Sequence, residues 1–435
     1  MSEEKRAAAR HRYRKKREPT ERPATFREVF SSREFRALYA ATLLSWVGDY
    51  IAKAAVAALV YQKTSSVAVS AATFAIGYVP WVLGGPVLAA LAERNPFRRV
   101  MVICDVFRAG LVALVAIPGM PVPAMLVLLF TTALLNPPFE AARSALTPRL
   151  VEGDRYAQAL VLQNITSQAA QLAGYVTGAS LAAFHPHAAL LLDATTFVLS
   201  GLLVRLRIRA YQPAAVRAQR THLLRETGQG FRMVFGSDVL RAIAVLIFAL
   251  MLFTTVPEGL AAAWAGHLSH GDPTGAGLDQ GLIMAGYPAG FILGGLLVTR
   301  LLPPQDRRRL IRPLAVLVPL AVVPALLDPP AVVIMVMTAV CGFAAAGLFP
   351  TANSLFVQAL PDAFRARAFG IMQSGVLVLQ GVAIFSCGAL ADHFALPTVV
   401  GLWSLAGVLV MGVASAQWPT RHRFRRAFEA AAAVN

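Results

Sequence analysis

Residues 331–350 read AVVIMVMTAVCGFAAAGLFP, twenty positions without a charged side chain. A helix of that length rises about 30 Å, the thickness of a bilayer's hydrocarbon core, so the stretch is long and apolar enough to cross a membrane. Working outward, the chain repeats the pattern. Runs of this kind, separated by charged or Pro/Gly-rich breaks, fall at 38–61, 68–92, 99–117, 123–142, 158–184, 187–205, 242–265, 279–301, 312–327, 330–350, 370–391 and 397–417, which predicts twelve spans. Leu327-Asp328-Pro329-Pro330 is so short a turn that the ninth and tenth runs could also form one re-entrant segment. The whole composition agrees with the runs: 57% of the 435 residues are hydrophobic and 14% charged, where soluble domains carry about a quarter charged residues. A soluble fold of such a chain would expose large apolar patches.

The net charge of +17 would suit a nucleic-acid binder, but its placement argues for a membrane protein instead. Twelve basic residues precede the first run, and further Arg follow every second run: Arg94, Arg98 and Arg99; Arg143, Arg149 and Arg155; eight from Arg205 to Arg241; Arg300 to Arg312; Arg365 and Arg367; Arg421 to Arg426. The opposite connections hold Lys63 alone. By the positive-inside rule both termini are expected in the cytoplasm. Charge scattered in this way forms no groove or stacking platform for nucleic acid. The first 36 residues lack the apolar core of a cleavable signal peptide. Arg in large excess over Lys, together with abundant Ala, points to a GC-rich bacterial genome and hence to the bacterial cytoplasmic membrane.

The runs divide six and six. A basic tail over 1–36 precedes the first bundle over 37–205, and a polar, Arg-rich linker over 206–241 leads to the second over 242–417, with a basic tail over 418–435. In the linker, Leu223, Leu224, Phe231, Val234 and Phe235 predict a helix lying on the membrane surface. The halves match one another. Gly84-Gly85 and Arg98-Arg99 meet Gly294-Gly295 and Arg308-Arg309 at an offset of 210, and Asn164 and Gln171 meet Gln373 and Gln380 at 209. Two six-span repeats about an axis normal to the membrane describe a secondary transporter whose substrate site lies near the midplane between them.

Between the second and third runs, Ala89-Ala90-Leu91-Ala92-Glu93-Arg94-Asn95-Pro96-Phe97-Arg98-Arg99 resembles the signature loop of the major facilitator superfamily, of the type G-x-L-A-D-R-x-G-R-K. Glu93, Arg94, Arg98 and Arg99 would then form its cytoplasmic gate; Ala89, Glu93, Pro96 and Phe97 depart from the pattern, Pro96 most, since it fixes a dihedral that Gly leaves free. Phe139 to Ser144 with Thr147 to Val151 looks like the matching segment of twelve-span drug and metabolite exporters, the group of macrolide efflux pumps and siderophore exporters. The resemblance implies an all-α fold of two pseudo-symmetric six-helix bundles, a monomer that works by alternating access, and proton-driven export of a small amphipathic drug or metabolite. Proton-linked uptake of a metabolite, or lipid transport, is the alternative on the same fold; a membrane receptor or enzyme on a transporter scaffold is the alternative of another class. Gly174-Tyr175-Val176-Thr177-Gly178 loosely resembles an antiporter motif, but small-xxx-small helix packing is the plainer explanation of the two Gly.

Charges inside spans are costly, so they are where function is sought. Asp49 and Lys53 stand four apart on one face of the first run, spaced for an ion pair that either lets the span insert or carries protons. Asp105 and Arg108 repeat the arrangement at three apart. Glu258, after the helix-breaking Pro257, has no basic residue within four positions; desolvation favours the neutral form of such an acid, which suits a proton carrier unless the group simply faces water. Asp49 and Glu258 are therefore the proton-coupling candidates. Asn164, Gln168 and Gln171 form a polar stripe on one helix face, either bonding between helices or walling the substrate cavity with Gln373, Gln380 and Asp193. Aromatic residues Tyr78, Trp81, Phe130, Phe253, Tyr287 and Phe291 could complete that cavity. Glu140 and Asp392, near run ends, read as gates or helix caps. No metal or cofactor is expected: the His pairs lack third ligands, the three Cys lie in apolar runs without CxxC spacing, and no Walker sequence occurs.

Overall fold

A computed structural model describes residues 26–83, 95–211, 223–270, 272–361 and 364–434. Every expected run meets a helix. These are α1 (Arg33–Thr64), α2 (Val67–Ala75, followed by Val79–Leu83), α3 (Phe97–Val115), α4 (Val122–Leu134 and Asn136–Leu150), α5 (Asp154–Phe184) and α6 (Pro186–Arg207). The second set is α7 (Asp238–Thr254, Val256–Gly259 and Ala261–Leu268), α8 (Pro273–Leu301), α9 (Pro304–Leu320), α10 (Ala331–Gln358), α11 (Arg365–Ala391) and α12 (Leu396–Ala416). Among the described residues, nine helices are long and apolar enough to cross a membrane; α2, α3 and α5 fall outside that number. In α3 the cause is visible in its sequence, which carries Arg98, Arg99, Asp105 and Arg108.

Several helices, α1, α8 and α10 among them, outrun their apolar stretches because backbone hydrogen bonding continues past the hydrocarbon edge. Ser32 starts α1 by accepting the Phe35 amide, and Asp272 starts α8 by accepting those of Thr274 and Gly275. Breaks fall where donors are missing. Asn136-Pro137-Pro138 interrupts α4, and Pro257 with Gly259 divides α7 into three pieces. The ninth and tenth runs form two helices: after a 3₁₀ turn over Val323–Leu327, Asp328 takes a left-handed conformation (φ 47°) and reverses the chain so that α9 and α10 pack together. The linker contains the expected amphipathic helix, Leu223–Gly236, which packs against α11.

Helix pairing repeats with a shift of six. α1 packs on α5 and α6 as α7 packs on α11 and α12; α3 packs on α6 as α9 does on α12; α5 packs on α8 as α11 does on α2. The last pair of contacts joins the halves. They meet closely at the helix ends opposite the chain termini, where a Cβ on Gly277 would lie 2.9 Å from the Ala179 carbonyl and one on Gly388 would lie 2.6 Å from the Ala71 Cβ. Beside them Gln280 of α8 donates to the Ala54 carbonyl of α1 at 2.9 Å. The same need for closeness explains Gly174 and Gly178 on α5. A Cβ at these positions would stand 2.9 Å from the Val47 carbonyl and 2.6 Å from that of Ile51, so both are packing glycines against α1.

Candidate functional site

Two polar groups of side chains lie inside the bundle. The first surrounds a cavity of about 300 Å³ between α1, α2, α3 and α4, lined by the aromatic rings of Trp46, Tyr50, Trp81 and Phe139 and by Asp49, Lys53, Arg108 and Glu140. Asp49 and Lys53 both reach it without pairing. The Lys53 ammonium stands 4.9 Å from the centre of the Tyr50 ring, three residues back, and makes a cation–π contact in place of the ion pair that the spacing allowed.

Arg108 and Asp105 are buried together, their nearest charged atoms 3.9 Å apart. Ser200 of α6 donates to Asp105 at 2.7 Å, and Arg108 donates to the Leu135 carbonyl at 3.0 Å, the point where α4 breaks. The Arg108 guanidinium also lies 4.7 Å from the Phe139 ring centre and 5.4 Å from that of Phe197. This residue therefore ties α3 to α4 and α6 while one face reaches the cavity. Glu140 is paired by Arg143 on the next turn, whose Nε donates at 2.9 Å and whose guanidinium rests 5.3 Å from the Trp46 ring. The α4 break brings Glu140 to the cavity, a placement that reading it as a run-end residue missed.

The second group crosses between the halves. The Tyr175 hydroxyl on α5 donates to the Glu258 carboxylate in the broken part of α7, and Gln171 donates to the Tyr175 oxygen at 3.4 Å. Tyr50 stands edge-on to Tyr175 with ring centres 5.1 Å apart, so the aromatic pair joins this chain of bonds to the cavity. Glu258 is half-buried and has a hydroxyl donor from the opposite half as its partner. Tyr175 was not singled out as a polar partner, although it lies four residues after Gln171 and so continues the polar stripe of α5.

The other candidates are dispersed. Asp193 is 1% exposed, its carboxylate accepting from Thr196 at 3.4 Å beside Gly48 of α1, and is absent from the cavity lining. Gln168 is half-buried and Asn164 exposed; on α11, Gln373 is exposed and Gln380 donates to the Met251 sulfur at 3.7 Å. Phe253 is a core residue packed on Trp403, with ring centres 5.7 Å apart, and Tyr78 lines an apolar groove between α2 and α11. In the signature loop, Arg98 donates to the Ile208 carbonyl at 3.2 Å and Arg99 is exposed, while Glu93, Arg94 and Gly84-Gly85 lie outside the described residues. Asp392 at the end of α11 accepts from Ser66 Oγ at 2.7 Å, the Val67 amide at 2.6 Å and the Ala68 amide at 3.3 Å, capping α2 of the other half.

The sequence profile of the Major Facilitator Superfamily matches residues 38–377. The MFS-type transporter YkuC of Bacillus subtilis (strain 168) is 25% identical over 246 residues, 54% of this chain and 56% of that one, so the chain spans about half the length of that relative. Macrolide efflux protein A of Streptococcus pyogenes is 20% identical over 394 residues, covering 88% of this chain and 94% of that protein. Among solved structures, a bacterial homologue of the human lysosomal transporter Spinster, inward-facing and unoccupied, superposes with a TM-score of 0.68 at 13% identity over 92% of this chain and 98% of that one. A bacterial homologue of the iron transporter ferroportin, also inward-facing, gives 0.65 at 17% identity over 92% and 100%.

Proposed function

The chain belongs to the Major Facilitator Superfamily and is a multi-pass membrane transporter of that type, and on this premise we propose that it exports a bulky amphipathic compound in exchange for protons. The observation that carries the reading is the hydrogen bond between Tyr175 and Glu258, a hydroxyl on one half bonded to a carboxylate on the other. Alternating access rocks the halves against each other around a midplane site. A carboxylate whose partner sits on the opposite half changes surroundings at every stroke, which is what loading a proton on one face and releasing it on the other requires. Asp49, at the adjoining cavity with Lys53 and Arg108 nearby, is the second coupling candidate.

Substrate class follows from the cavity wall. Trp46, Tyr50, Trp81 and Phe139 offer flat apolar surface, while two carboxylates and two cations supply directional contacts. Likeness to macrolide efflux protein A along 88% of the chain supports export and a role in drug resistance. The excess of Arg on alternate connections supports cytoplasmic termini. With that orientation the close contacts of α5 with α8 and of α2 with α11 lie toward the outer face.

The test is accumulation of a panel of fluorescent amphipathic drugs in cells producing the wild type, Glu258→Gln or Asp49→Asn, with and without a protonophore. Wild-type cells should accumulate less of at least one compound, and both the protonophore and the coupling variant should restore it. Efflux by both variants at the wild-type level would end the assignment of either acid to coupling.

A further inference from the structure

We propose that the end of the C-terminal half beside the chain terminus holds the phosphate of an anionic phospholipid. After α12 the chain turns at Trp418-Pro419 and forms a last helix, Arg421–Val434, that folds back over the start of α9. Between them lies a recess of about 590 Å³. Five guanidiniums line it: Arg308, Arg309 and Arg312 from α9, and Arg421 and Arg425 from the last helix.

Internal partners leave most of that charge uncompensated. Arg312 donates to the Trp418 carbonyl at 3.2 Å and Arg308 to the Gln358 side chain at 3.3 Å, both neutral acceptors. Arg309 has Asp306 at 3.5 Å and Arg425 has Glu429 at 3.8 Å, both acids well exposed. Arg421 meets no carboxylate among the described ion pairs. Three of the five guanidiniums around the recess thus have no acid beside them, an excess of positive charge that an anion there would offset, and guanidinium forks match phosphate oxygens.

The rest of the wall selects a lipid over a free anion. Trp418, Phe424 and Phe428 pack in series with tilted rings, their centres 5.6 and 5.9 Å apart, and form an apolar flank beside the charged rim. Phe424 and Phe428 share one face of the last helix and turn it toward the protein, Phe424 buried in the core and both lining the recess. A Trp at the end of a span sits at headgroup depth. A phosphodiester would thus meet the arginines while its glycerol and upper acyl carbons meet the rings. Inorganic phosphate would leave the rings unused.

Native mass spectrometry of the delipidated full-length protein, titrated with phosphatidylglycerol, phosphatidylcholine or inorganic phosphate, tests this. Phosphatidylglycerol should be retained in preference to phosphatidylcholine. The exposed pair Arg421→Gln and Arg425→Gln should weaken its retention roughly fivefold per arginine. Arg205→Gln with Arg207→Gln, basic residues at the end of α6, should leave retention unchanged. Equal retention of the two lipids, equal loss in the α6 variant, or displacement of the lipid by millimolar phosphate would overturn the proposal. Circular dichroism and melting of the variants distinguish a lost site from a lost fold.

Discussion

Replacing Asp392 by Ala should open the closed side of the protein. The carboxylate accepts three hydrogen bonds, at 2.7, 2.6 and 3.3 Å, from Ser66 Oγ and the first two amides of α2. It therefore does for α2 what an N-cap does, but from the opposite half of the molecule. Loss of a cap costs about 0.5–2 kcal/mol, and this one is missing only when the halves part, so its whole value biases the closed arrangement. A shift of about 1.4 kcal/mol is tenfold in the ratio of the two arrangements, so a separated state populated at about 5% would rise to about a third. Spin labels at Gln62 on α1 and Thr274 on α8, both exposed at that side, read the separation by electron–electron distance measurement. Asp392→Asn should keep the short distance largely intact, since an amide oxygen caps nearly as well as a carboxylate. An unchanged distribution in Asp392→Ala, or equal opening by Ala and Asn, would refute the capping argument.

Other consequences are equally direct. Gly178→Ala places a methyl 2.6 Å from the Ile51 carbonyl and should lower thermal stability, at an overpacking cost of about 1–3 kcal/mol, whereas Gly110→Ala, with open space around it, should melt with the wild type in a detergent-solubilised thermal scan. Tyr175→Phe keeps the ring against Tyr50 and removes the donor to Glu258. It should fold normally and lose about 1–3 kcal/mol of interaction with the acid, seen as at least a fivefold fall in protonophore-sensitive efflux. Glu140→Gln should leave Arg143 without its ionic partner at the edge of the cavity and reduce substrate affinity in a binding titration, and the double variant Glu140→Gln, Arg143→Gln should be milder than the single change.

The spans were legible because hydropathy and helix length are local properties: the run at 330–350 needs no partner to be recognised, and α10 covers it from Ala331 onward. Pairing of side chains was less legible. Asp49 and Lys53 share a face, yet the ammonium stands over the Tyr50 ring, a contact that the i, i+4 spacing alone does not select. Glu140 looked terminal until the Asn136-Pro137-Pro138 break turned it inward. Tyr175 hid behind its flanking glycines, which packing explains, although its spacing from Gln171 placed it on the polar stripe. The amides of α5 and α11 matched at one offset and their burial runs in parallel, Asn164 and Gln373 both exposed, Gln171 buried and Gln380 half-buried, but the repeat does not fix their partners: Gln171 donates to the Tyr175 oxygen and Gln380 to the Met251 sulfur.

The coupling role of Glu258 is most directly tested in proteoliposomes loaded with a pH-sensitive dye, using the first compound that the accumulation screen yields. The wild type should move protons down an imposed pH gradient only when that compound is present, and should drive it uphill. Glu258→Gln should still exchange labelled for unlabelled compound at equilibrium, with no substrate-dependent proton movement and no uphill accumulation. Proton movement and uphill transport by Glu258→Gln at the wild-type rate would contradict the account.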